Sequence, residues 1–215
     1  MSSLNEDMTR QNPPGFLLVL EGVDGAGKST LKQRLIEYCE RRGLPFVASK
    51  EPTDGQWGRT LRQSAQTGRL SLEEELELFL KDRAEHVDQL IGPAMAVGKI
   101  VILDRYYLST AAYQGARGAN PQKILADNER FAPAPDLALL LDLPPSAGLS
   151  RVRIRGDIPN EFERESALEE VRRIFLSLLS AERPWLVRVD ASQSPEAVAQ
   201  ECIAAFERAL AAKAG

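Results

Sequence analysis

One short run of the sequence, Gly22-Val-Asp-Gly-Ala-Gly-Lys28-Ser29, has residue types and a spacing that could hold a phosphate chain. It has the form G-x-x-x-x-G-K-S of a P-loop. Its glycines let the backbone turn tightly around an anion, so that amide groups and a helix N-terminus face the phosphates. Lys28 can then reach the β- and γ-phosphates, and the Ser29 hydroxyl is placed to ligate magnesium. The run predicts an ATP site with Mg²⁺, formed by Gly22, Asp24, Gly25, Ala26, Gly27, Lys28, Ser29 and Thr30.

A second group of residues could bind an acceptor. A P-loop alone fits a kinase, a GTPase or a motor protein, but the chain lacks the Asn-Lys-x-Asp motif that reads guanine, which argues against a GTPase. Asp104 and Arg105 follow the apolar run Ile100 to Leu103. A carboxylate there could hold magnesium through water, and a guanidinium could bind an acceptor phosphate. A surface ion pair is the alternative for this dipeptide.

Five runs predict the strands that position these residues. Phe16 to Leu20, Ile100 to Leu103 and Leu137 to Leu141 are apolar throughout, as strands buried on both faces are. Pro45 to Ser49 and Leu186 to Asp190 could add two shorter strands. Helical patterns occupy Lys28 to Arg42, Ser71 to Val97, Asn120 to Arg130, Glu165 to Ala181 and Pro195 to Ala212. This alternation predicts an α/β fold with a five-stranded parallel sheet and helices on both faces, whose ligands bind beyond the carboxyl ends of the strands.

Length and composition set further limits. The chain has 215 residues, 43% of them hydrophobic, and a formal net charge of −4, so it lacks the basic excess of nucleic-acid and anionic-membrane binders. No run approaches the roughly 18 apolar residues of a membrane span. Cys39 and Cys202 have no metal-ligand spacing. We therefore expect a cytoplasmic protein with a disordered tail over residues 1–15 and a single domain over residues 16–215.

Two further blocks resemble the thymidylate kinase (dTMP kinase) family. Asp104 to Gln114, with the apolar residues before it, is similar to the family signature, and Leu78 to His86 is similar to its Leu-Phe-x-x-Asp-Arg-Ala-x-His helix. The resemblance implies transfer of the γ-phosphoryl group of ATP to dTMP, with Mg²⁺ as cofactor, and a homodimer. It also implies that Phe79 stacks on thymine and that Arg83 hydrogen-bonds the base edge. Their i, i+4 spacing puts both on one helix face, although without the resemblance Phe79 would be core and Arg83 a solvated charge.

The same resemblance assigns the rest of an acceptor site. It implies that Asp24 contacts the 3′-hydroxyl group of the deoxyribose and that Arg105 holds the acceptor phosphate. Tyr113 matches the aromatic residue under the deoxyribose, and Thr110 and Gln114 match positions near the thymine. The implied acceptor site is Asp24, Arg62, Phe79, Arg83, Arg105, Thr110, Tyr113 and Gln114.

Phosphoryl transfer also needs positive charge at the moving group. Gly25 stands where some family members carry a P-loop arginine, so the charge has to come from elsewhere. Residues 148–165 resemble the lid of the lid-arginine (bacterial-type) class, with Arg151 and Arg155 one helical turn apart. A solvated basic helix end is the alternative. The implied catalytic residues are Lys28, Asp104, Arg105, Arg151 and Arg155, and the implied metal ligands are Ser29 and Asp104.

The sequence departs from the family pattern in two places. Asn160-Glu161-Phe162-Glu163 replaces the usual Asp-Arg pair of the lid, so one expected arginine is missing unless Arg164 substitutes. Lys50 replaces an arginine before the Glu-Pro pair, and Arg62 aligns only loosely with a phosphate-contacting arginine. Two alternatives therefore remain: a kinase of another nucleoside monophosphate or of a deoxynucleoside, and a nucleotide-binding regulator without transfer activity.

Overall fold

The computed structural model describes residues 15–154, 165–179 and 183–214. Their centre is a five-stranded parallel sheet in the order β2-β3-β1-β4-β5. The strands are β1 (Phe16–Glu21), β2 (Phe46–Lys50), β3 (Ile100–Asp104), β4 (Leu137–Asp142) and β5 (Leu186–Asp190). The five predicted strands are confirmed, each to within one residue at either end. The strand that precedes the P-loop is the central one.

Burial explains why these runs form the middle of the sheet. Every residue of β1 and of β4 is buried. Successive side chains of a strand point to opposite faces, so full burial means that both faces of the sheet are covered. The edge strand β2 is only partly buried. A continuous apolar sequence therefore predicts a central strand, whereas a mixed one predicts an edge.

Helices fill the connections between the strands. In chain order they are α1 (Lys28–Arg42), α2 (Gln56–Thr67), α3 (Leu72–His86), α4 (Gly92–Ala96), α5 (Tyr107–Gly115), α6 (Pro121–Glu129), α7 (Pro145–Ile154), α8 (Glu165–Ser177) and α9 (Pro195–Ala214). A π-helical turn over Val87–Ile91 joins α3 to α4, so the helix predicted over Ser71 to Val97 is continuous but not uniform. In the part of the chain that the structure describes, no helix is long and apolar enough to cross a membrane.

Two of these helices begin or end where local chemistry predicts. Ser71 and Glu74 form a capping box at the start of α3, because each side chain bonds the other's backbone amide. Gly43 ends α1 in a left-handed conformation, with φ 62°. The sequence reading did not recognise α2 and α5 as helices. Trp57, Leu61 and Ala65 of α2 do have helical spacing, whereas α5 is buried along most of its length and so lacks an apolar stripe opposite a polar one.

Several predictions fall on residues that the structure does not describe. These are most of the tail over residues 1–15 and the second half of the lid, including Arg155 and Arg164. Cys39 and Cys202 are both buried free thiols. Burial raises the pKa of Cys39 to about 11 and that of Cys202 to about 12, which keeps both thiols protonated near neutral pH.

Candidate active site

The P-loop runs from the end of β1 into α1 and has the backbone that a phosphate cradle needs. Gly22, Gly25 and Gly27 have positive φ angles of 134°, 79° and 100°, which residues with a side chain rarely adopt. A Cβ atom on Gly25 would also lie 2.3 Å from the carbonyl oxygen of Gly148, at the start of the predicted lid. The glycine at position 25 is therefore required by both conformation and packing.

Lys28 is buried against the same loop. Its Nζ atom donates hydrogen bonds to the carbonyl oxygens of Gly22 and Val23, each at 2.9 Å. Burial lowers the pKa of Lys28 to about 8, and the charge of Arg105 acts in the same direction. The ammonium group is thus held inside the loop, at the carboxyl end of the central strand.

A first cavity, of about 420 Å³, adjoins the P-loop on the α1 side. Gly25, Gly27 and Thr30 line this cavity, and so does Gln193, which follows β5. Arg151 of α7 also lines this cavity and donates a hydrogen bond to the carbonyl oxygen of Ala191 at 3.2 Å. We call this space the donor cavity. Of the two predicted lid arginines, Arg151 lies here and Arg155 is outside the described residues.

A second cavity, of about 370 Å³, lies on the other side of the P-loop. We call it the acceptor cavity. All eight residues of the predicted acceptor site line it: Asp24, Arg62, Phe79, Arg83, Arg105, Thr110, Tyr113 and Gln114. They come from five separate parts of the chain, namely the P-loop, α2, α3, the β3–α5 connection and α5. The structure therefore brings together residues up to 90 positions apart, and their individual roles remain predictions.

Arg105 connects the acceptor cavity to the P-loop. Its guanidinium group forms an ion pair with Asp24 and stacks on the Tyr113 ring, 4.9 Å from the ring centroid. Its Nη1 atom lies 3.4 Å from the Gly22 carbonyl oxygen. Burial alone would raise the pKa of Asp24, but Arg105 and Lys28 outweigh burial and lower it below its usual value. Asp24 therefore stays ionised between two cations.

Arg83 is the most deeply buried charge of the acceptor cavity, with only 1% of its surface exposed. It is not the solvated charge that its spacing alone allows. Its Nε atom donates to Glu51 at 2.9 Å, and its Nη2 atom donates to Thr110 at 3.1 Å. Its Nη1 atom donates to Asn128. The fork geometry of arginine fixes the group in one plane at the cavity wall.

Arg62 reaches the acceptor cavity from α2 and is fixed by the segment that follows β2. Its guanidinium group donates to the Pro52 carbonyl oxygen at 2.8 Å and to the Asp54 carboxylate at 2.9 Å. Lys50 pairs with the same carboxylate at 3.1 Å. The replacement of arginine by lysine at position 50 therefore leaves a cation beside Asp54, although one without a planar fork.

Sequence reasoning missed two buried acids beside the acceptor cavity, Glu51 and Glu21. Glu51 accepts hydrogen bonds from Arg83 and lies 3.0 Å from the Nδ1 atom of His86. Glu21, the last residue of β1, is completely buried between the P-loop and α5. Glu21 directly follows the predicted run Phe16 to Leu20, and Glu51 directly follows the observed strand β2. An acidic residue at the carboxyl end of a strand was the signal that could have found both.

Asp104 and Ser29 have the oxygen atoms that magnesium prefers. Asp104 Oδ1 is buried, and among the described residues it has no hydrogen-bond partner. Ser29 is exposed at the start of α1, one residue from Lys28. Within the described ranges, no cluster of three or more acidic, histidine or cysteine side chains could hold a metal ion by itself. These two residues therefore fit a magnesium ion that takes most of its ligands from nucleotide and water.

A P-loop on the central strand of a parallel sheet, with one cavity on each side of it, defines a P-loop nucleotide kinase. The family model for thymidylate kinase matches residues 20–202 of the chain. The chain therefore belongs to the thymidylate kinase family. Its similarity to individual family members is high.

Three relatives illustrate this similarity. The chain is 52% identical over 199 residues to the thymidylate kinase of Xanthomonas campestris pv. campestris (strain B100), covering 93% of this chain and 86% of that protein. It is 54% identical, with the same coverage, to the thymidylate kinase of Xanthomonas oryzae pv. oryzae (strain PXO99A). The thymidylate kinase of Akkermansia muciniphila is 54% identical over 185 residues, which cover 86% of this chain and 88% of that protein.

Proposed function

We propose that this protein transfers the γ-phosphoryl group of ATP to dTMP, giving dTDP and ADP, as a step towards dTTP. The observation that carries this proposal is the acceptor cavity, which is lined by Phe79 and Arg83 of α3 and by Arg105, beside the P-loop. A regulator that only senses ATP has no need of a second cavity with buried arginines. The names of the relatives support dTMP as the acceptor.

The acceptor cavity fits each part of a thymidylate molecule. Its volume of about 370 Å³ lies at the lower end of the range for small-ligand sites. We assign the thymine to Phe79 and Arg83, since an aromatic face and a planar donor suit a pyrimidine ring with carbonyl oxygens. We assign the deoxyribose to Asp24 and Tyr113, and the phosphate to Arg105, with Arg62 as a second phosphate contact.

We assign Thr110 and Gln114 to the thymine edge. Both side chains are buried on α5, one helical turn apart. Thr110 already accepts a hydrogen bond from Arg83, so its hydroxyl proton is available to a ligand. The two residues would therefore complete the polar wall that faces the base.

The donor cavity fits the phosphates and base of ATP. The P-loop amides and Thr30 would bind the phosphate chain, and Lys28 would move from the loop carbonyl oxygens to the β- and γ-phosphates. Arg151 lies where it can contact the donor nucleotide, so we assign it to ATP and to the charge of the transferred group. Magnesium, held by Ser29 and by Asp104 through water, would neutralise charge on the β- and γ-phosphates.

The P-loop contributes to both cavities, with Asp24 lining the acceptor cavity and Gly25 and Gly27 lining the donor cavity, which suits in-line transfer. A phosphate oxygen of dTMP attacks the γ-phosphorus atom, and the bond from that atom to the β,γ-bridging oxygen breaks. The attacking oxygen is already ionised, so no general base is required. Lys28, Arg105 and Arg151 would stabilise the charge of the moving group, and we add Arg155 of the lid to this set.

A panel of acceptors tests this function. Purified protein is supplied with ATP, magnesium and one acceptor at a time from a set of nucleosides and nucleoside monophosphates, and ADP release is measured. We expect the highest kcat/KM with dTMP. Failure with dTMP together with turnover of another acceptor would support a different nucleotide kinase. Absence of turnover with every acceptor would support the regulator instead.

We further propose a homodimer in the cytoplasm. Leu78 and Leu80 of α3 remain partly exposed, and exposed apolar side chains of this kind are suited to contact a second chain. The buried, protonated thiols are compatible with a reducing compartment. Light scattering should give a mass twice that of the 23.7 kDa chain. A mass equal to that of one chain would contradict the dimer.

A further inference from the structure

The Glu21 carboxylate occupies a position that neither cavity uses directly. Glu21 ends the central strand and is 0% exposed. Its Oε1 atom accepts hydrogen bonds from the backbone amides of Tyr106, at 3.0 Å, and Ser109, at 3.2 Å. Its Oε2 atom accepts a hydrogen bond from the Ser109 hydroxyl. The carboxylate thus bonds only to the beginning of α5 and does not line either cavity.

Glu21 acts as the cap of α5. The first helical amides need acceptors, and they usually obtain one from the side chain at the N-cap. Tyr106 is the N-cap of α5 and its side chain makes no capping hydrogen bond. A carboxylate from the neighbouring strand supplies the acceptor instead, at the end of the helix where negative charge is favourable. The cap therefore connects α5 rigidly to the strand that carries the P-loop.

Ser109 extends this connection to Arg105. The Ser109 hydroxyl donates its single proton to Glu21, which leaves its oxygen lone pairs for another donor. The Nη1 atom of Arg105 donates to that oxygen at 3.2 Å. An ionised Glu21 therefore determines the direction of the Ser109 hydroxyl proton. This orientation leaves the Ser109 oxygen free to accept a hydrogen bond from the Arg105 guanidinium group.

The backbone of Arg105 has a left-handed conformation that residues other than glycine rarely adopt. Its φ angle of 71° is the only positive value at a residue other than glycine in the described ranges. Such a conformation costs about 1–2 kcal/mol and persists only where the surroundings enforce it. The Arg105 amide donates to Leu20, next to Glu21, at 2.9 Å. The end of β1 thus holds Arg105 through its backbone and, by way of Ser109, through its side chain.

We propose that Glu21 is a positioning residue for phosphoryl transfer, which caps α5 and acts through Ser109 to hold the Arg105 guanidinium group between Asp24 and the acceptor phosphate. This inference rests on the proposed function, because it assigns Arg105 to that phosphate. Glu21 lines neither cavity, and Ser109 and Arg105 line only the acceptor cavity, so the effect of Glu21 should fall on acceptor binding and not on ATP binding.

Glu21→Gln is the most informative variant. The amide oxygen can still accept from the two backbone amides, but the amide nitrogen cannot accept the Ser109 proton. At pH 8 we expect KM for dTMP to rise about tenfold, the effect of losing one hydrogen bond to a charged network. KM for ATP should stay within twofold. Equal changes in both KM values, or a lower active fraction with unchanged KM values, would overturn the proposal.

Ser109→Ala is the second test variant. It removes the hydroxyl group that connects Glu21 to Arg105, and it leaves the Glu21 carboxylate with its two backbone amide donors. It should raise KM for dTMP to a similar extent. The double variant should be no worse than either single variant, since both act through the same hydrogen bond. Additive losses would show that Glu21 and Ser109 act independently, and would overturn the proposed path.

Asp136→Asn is the matched control. Asp136 accepts a hydrogen bond at 2.8 Å from the Leu17 amide, near the opposite end of the same strand. Its replacement should lower the melting temperature and leave both KM values unchanged. If it raised KM for dTMP as Glu21→Gln does, loosening of β1 would explain the kinetics and Glu21 would have no specific role.

A crystal structure of the Glu21→Gln variant separates this inference from the proposed function. We expect the Arg105 guanidinium group to lie away from Asp24. An unmoved Arg105 would overturn the inference, whichever acceptor the protein turns over. Failure of the wild-type protein to use dTMP would overturn the proposed function alone, and the kinetic comparison would then be made with the acceptor that it does use.

Discussion

The donor and acceptor cavities lie on opposite sides of one P-loop and are built in different ways. The donor cavity is lined mostly by glycine and other small residues, together with Arg34 and Arg151. Charged side chains line the acceptor cavity, and Arg83 and Arg105 there are fixed by hydrogen bonds from several directions. One site is shaped mainly by backbone conformation and the other mainly by side-chain networks.

This difference suits the two substrates. Backbone amides bind the phosphate chain that all nucleoside triphosphates share, so recognition of this chain depends little on the identity of the surrounding side chains. An acceptor must be distinguished from similar nucleotides, and buried polar groups achieve this because a wrong ligand leaves them unpaired. Substitutions of residues that line the acceptor cavity should therefore weaken the binding of dTMP selectively. Substitutions that change the P-loop backbone should weaken the binding of ATP.

The largest effect is expected from Arg105→Ala, which removes the cation of the acceptor cavity that lies beside the P-loop. We expect kcat/KM for dTMP to fall about 10³-fold, the loss typical of a donor to transition-state charge. Steady-state kinetics with each substrate varied in turn would measure it. Arg173, an exposed arginine of α8 paired with Glu170, is the matched control. Arg173→Ala should leave kcat/KM for both substrates unchanged. A loss of kcat/KM comparable to that of Arg105→Ala would contradict a specific role for Arg105.

The pH dependence of stability tests the burial of Glu21 at the end of the central strand. Burial raises the pKa of Glu21 from 4.5 to about 7, although Ser109, Arg105 and Lys28 partly offset the increase. Because the folded protein binds the Glu21 proton more tightly than the unfolded chain does, protonation of Glu21 stabilises the fold. This contribution to the free energy of unfolding is complete below about pH 4.5. It is lost as the pH rises through about 7.

Over that interval the loss amounts to about 3 kcal/mol of unfolding free energy. Glu21→Gln does not titrate, so its stability relative to the wild-type protein should improve by this amount between pH 4.5 and pH 7.5. Urea unfolding at a series of pH values would measure the difference. Glu196→Gln, at the start of α9, is the control and should follow the wild-type curve. Parallel curves for wild-type and Glu21→Gln proteins would contradict the raised pKa.

A smaller effect is expected from Phe79→Ala, which removes the aromatic face of the acceptor cavity. Stacking of a base on an aromatic ring contributes about 1–3 kcal/mol, so KM for dTMP should rise about 30-fold with KM for ATP unchanged. Phe131, which is exposed beyond α6, is the matched control. If Phe131→Ala and Phe79→Ala had similar effects, Phe79 would have only a general packing role.

The smallest effect is expected at the backbone of the donor cavity. Gly25→Ala would strain a φ of 79° and place a methyl group against Gly148, so we expect KM for ATP to rise about tenfold. Gly43→Ala at the end of α1 has a similar φ, 62°, and no atom within 4 Å of its Cβ position. It should lower the melting temperature only. An unchanged KM for ATP in Gly25→Ala would contradict a donor site shaped by backbone.

The sequence predicted the framework of both cavities because that framework depends on short-range patterns. Apolar runs such as Phe16 to Leu20 located the strands, and the P-loop spacing located the donor side. The acceptor residues were also predicted, but from family resemblance. Spacing alone allowed Arg83 to be solvated, whereas the fold buries it against Glu51 and Asn128.

What the sequence did not reveal depends on contacts between distant residues. Asn128 lies 45 positions from Arg83, and Ser109 lies 88 positions from Glu21. No periodicity relates such residues, and their burial becomes visible only when the strands are assembled. The helix α5 was missed for a related reason. Its first turn depends on a cap from β1 and not on a residue of its own.

The most direct test of the two-cavity account is calorimetric titration of the Arg83→Lys variant with dTMP and with ATP. Lysine keeps the buried positive charge beside Glu51 but lacks the planar fork that also reaches Thr110 and Asn128. We predict that the affinity for dTMP falls about 30-fold, corresponding to one or two lost charge-assisted hydrogen bonds, while the affinity for ATP stays within twofold. Equal losses for the two nucleotides would contradict the account.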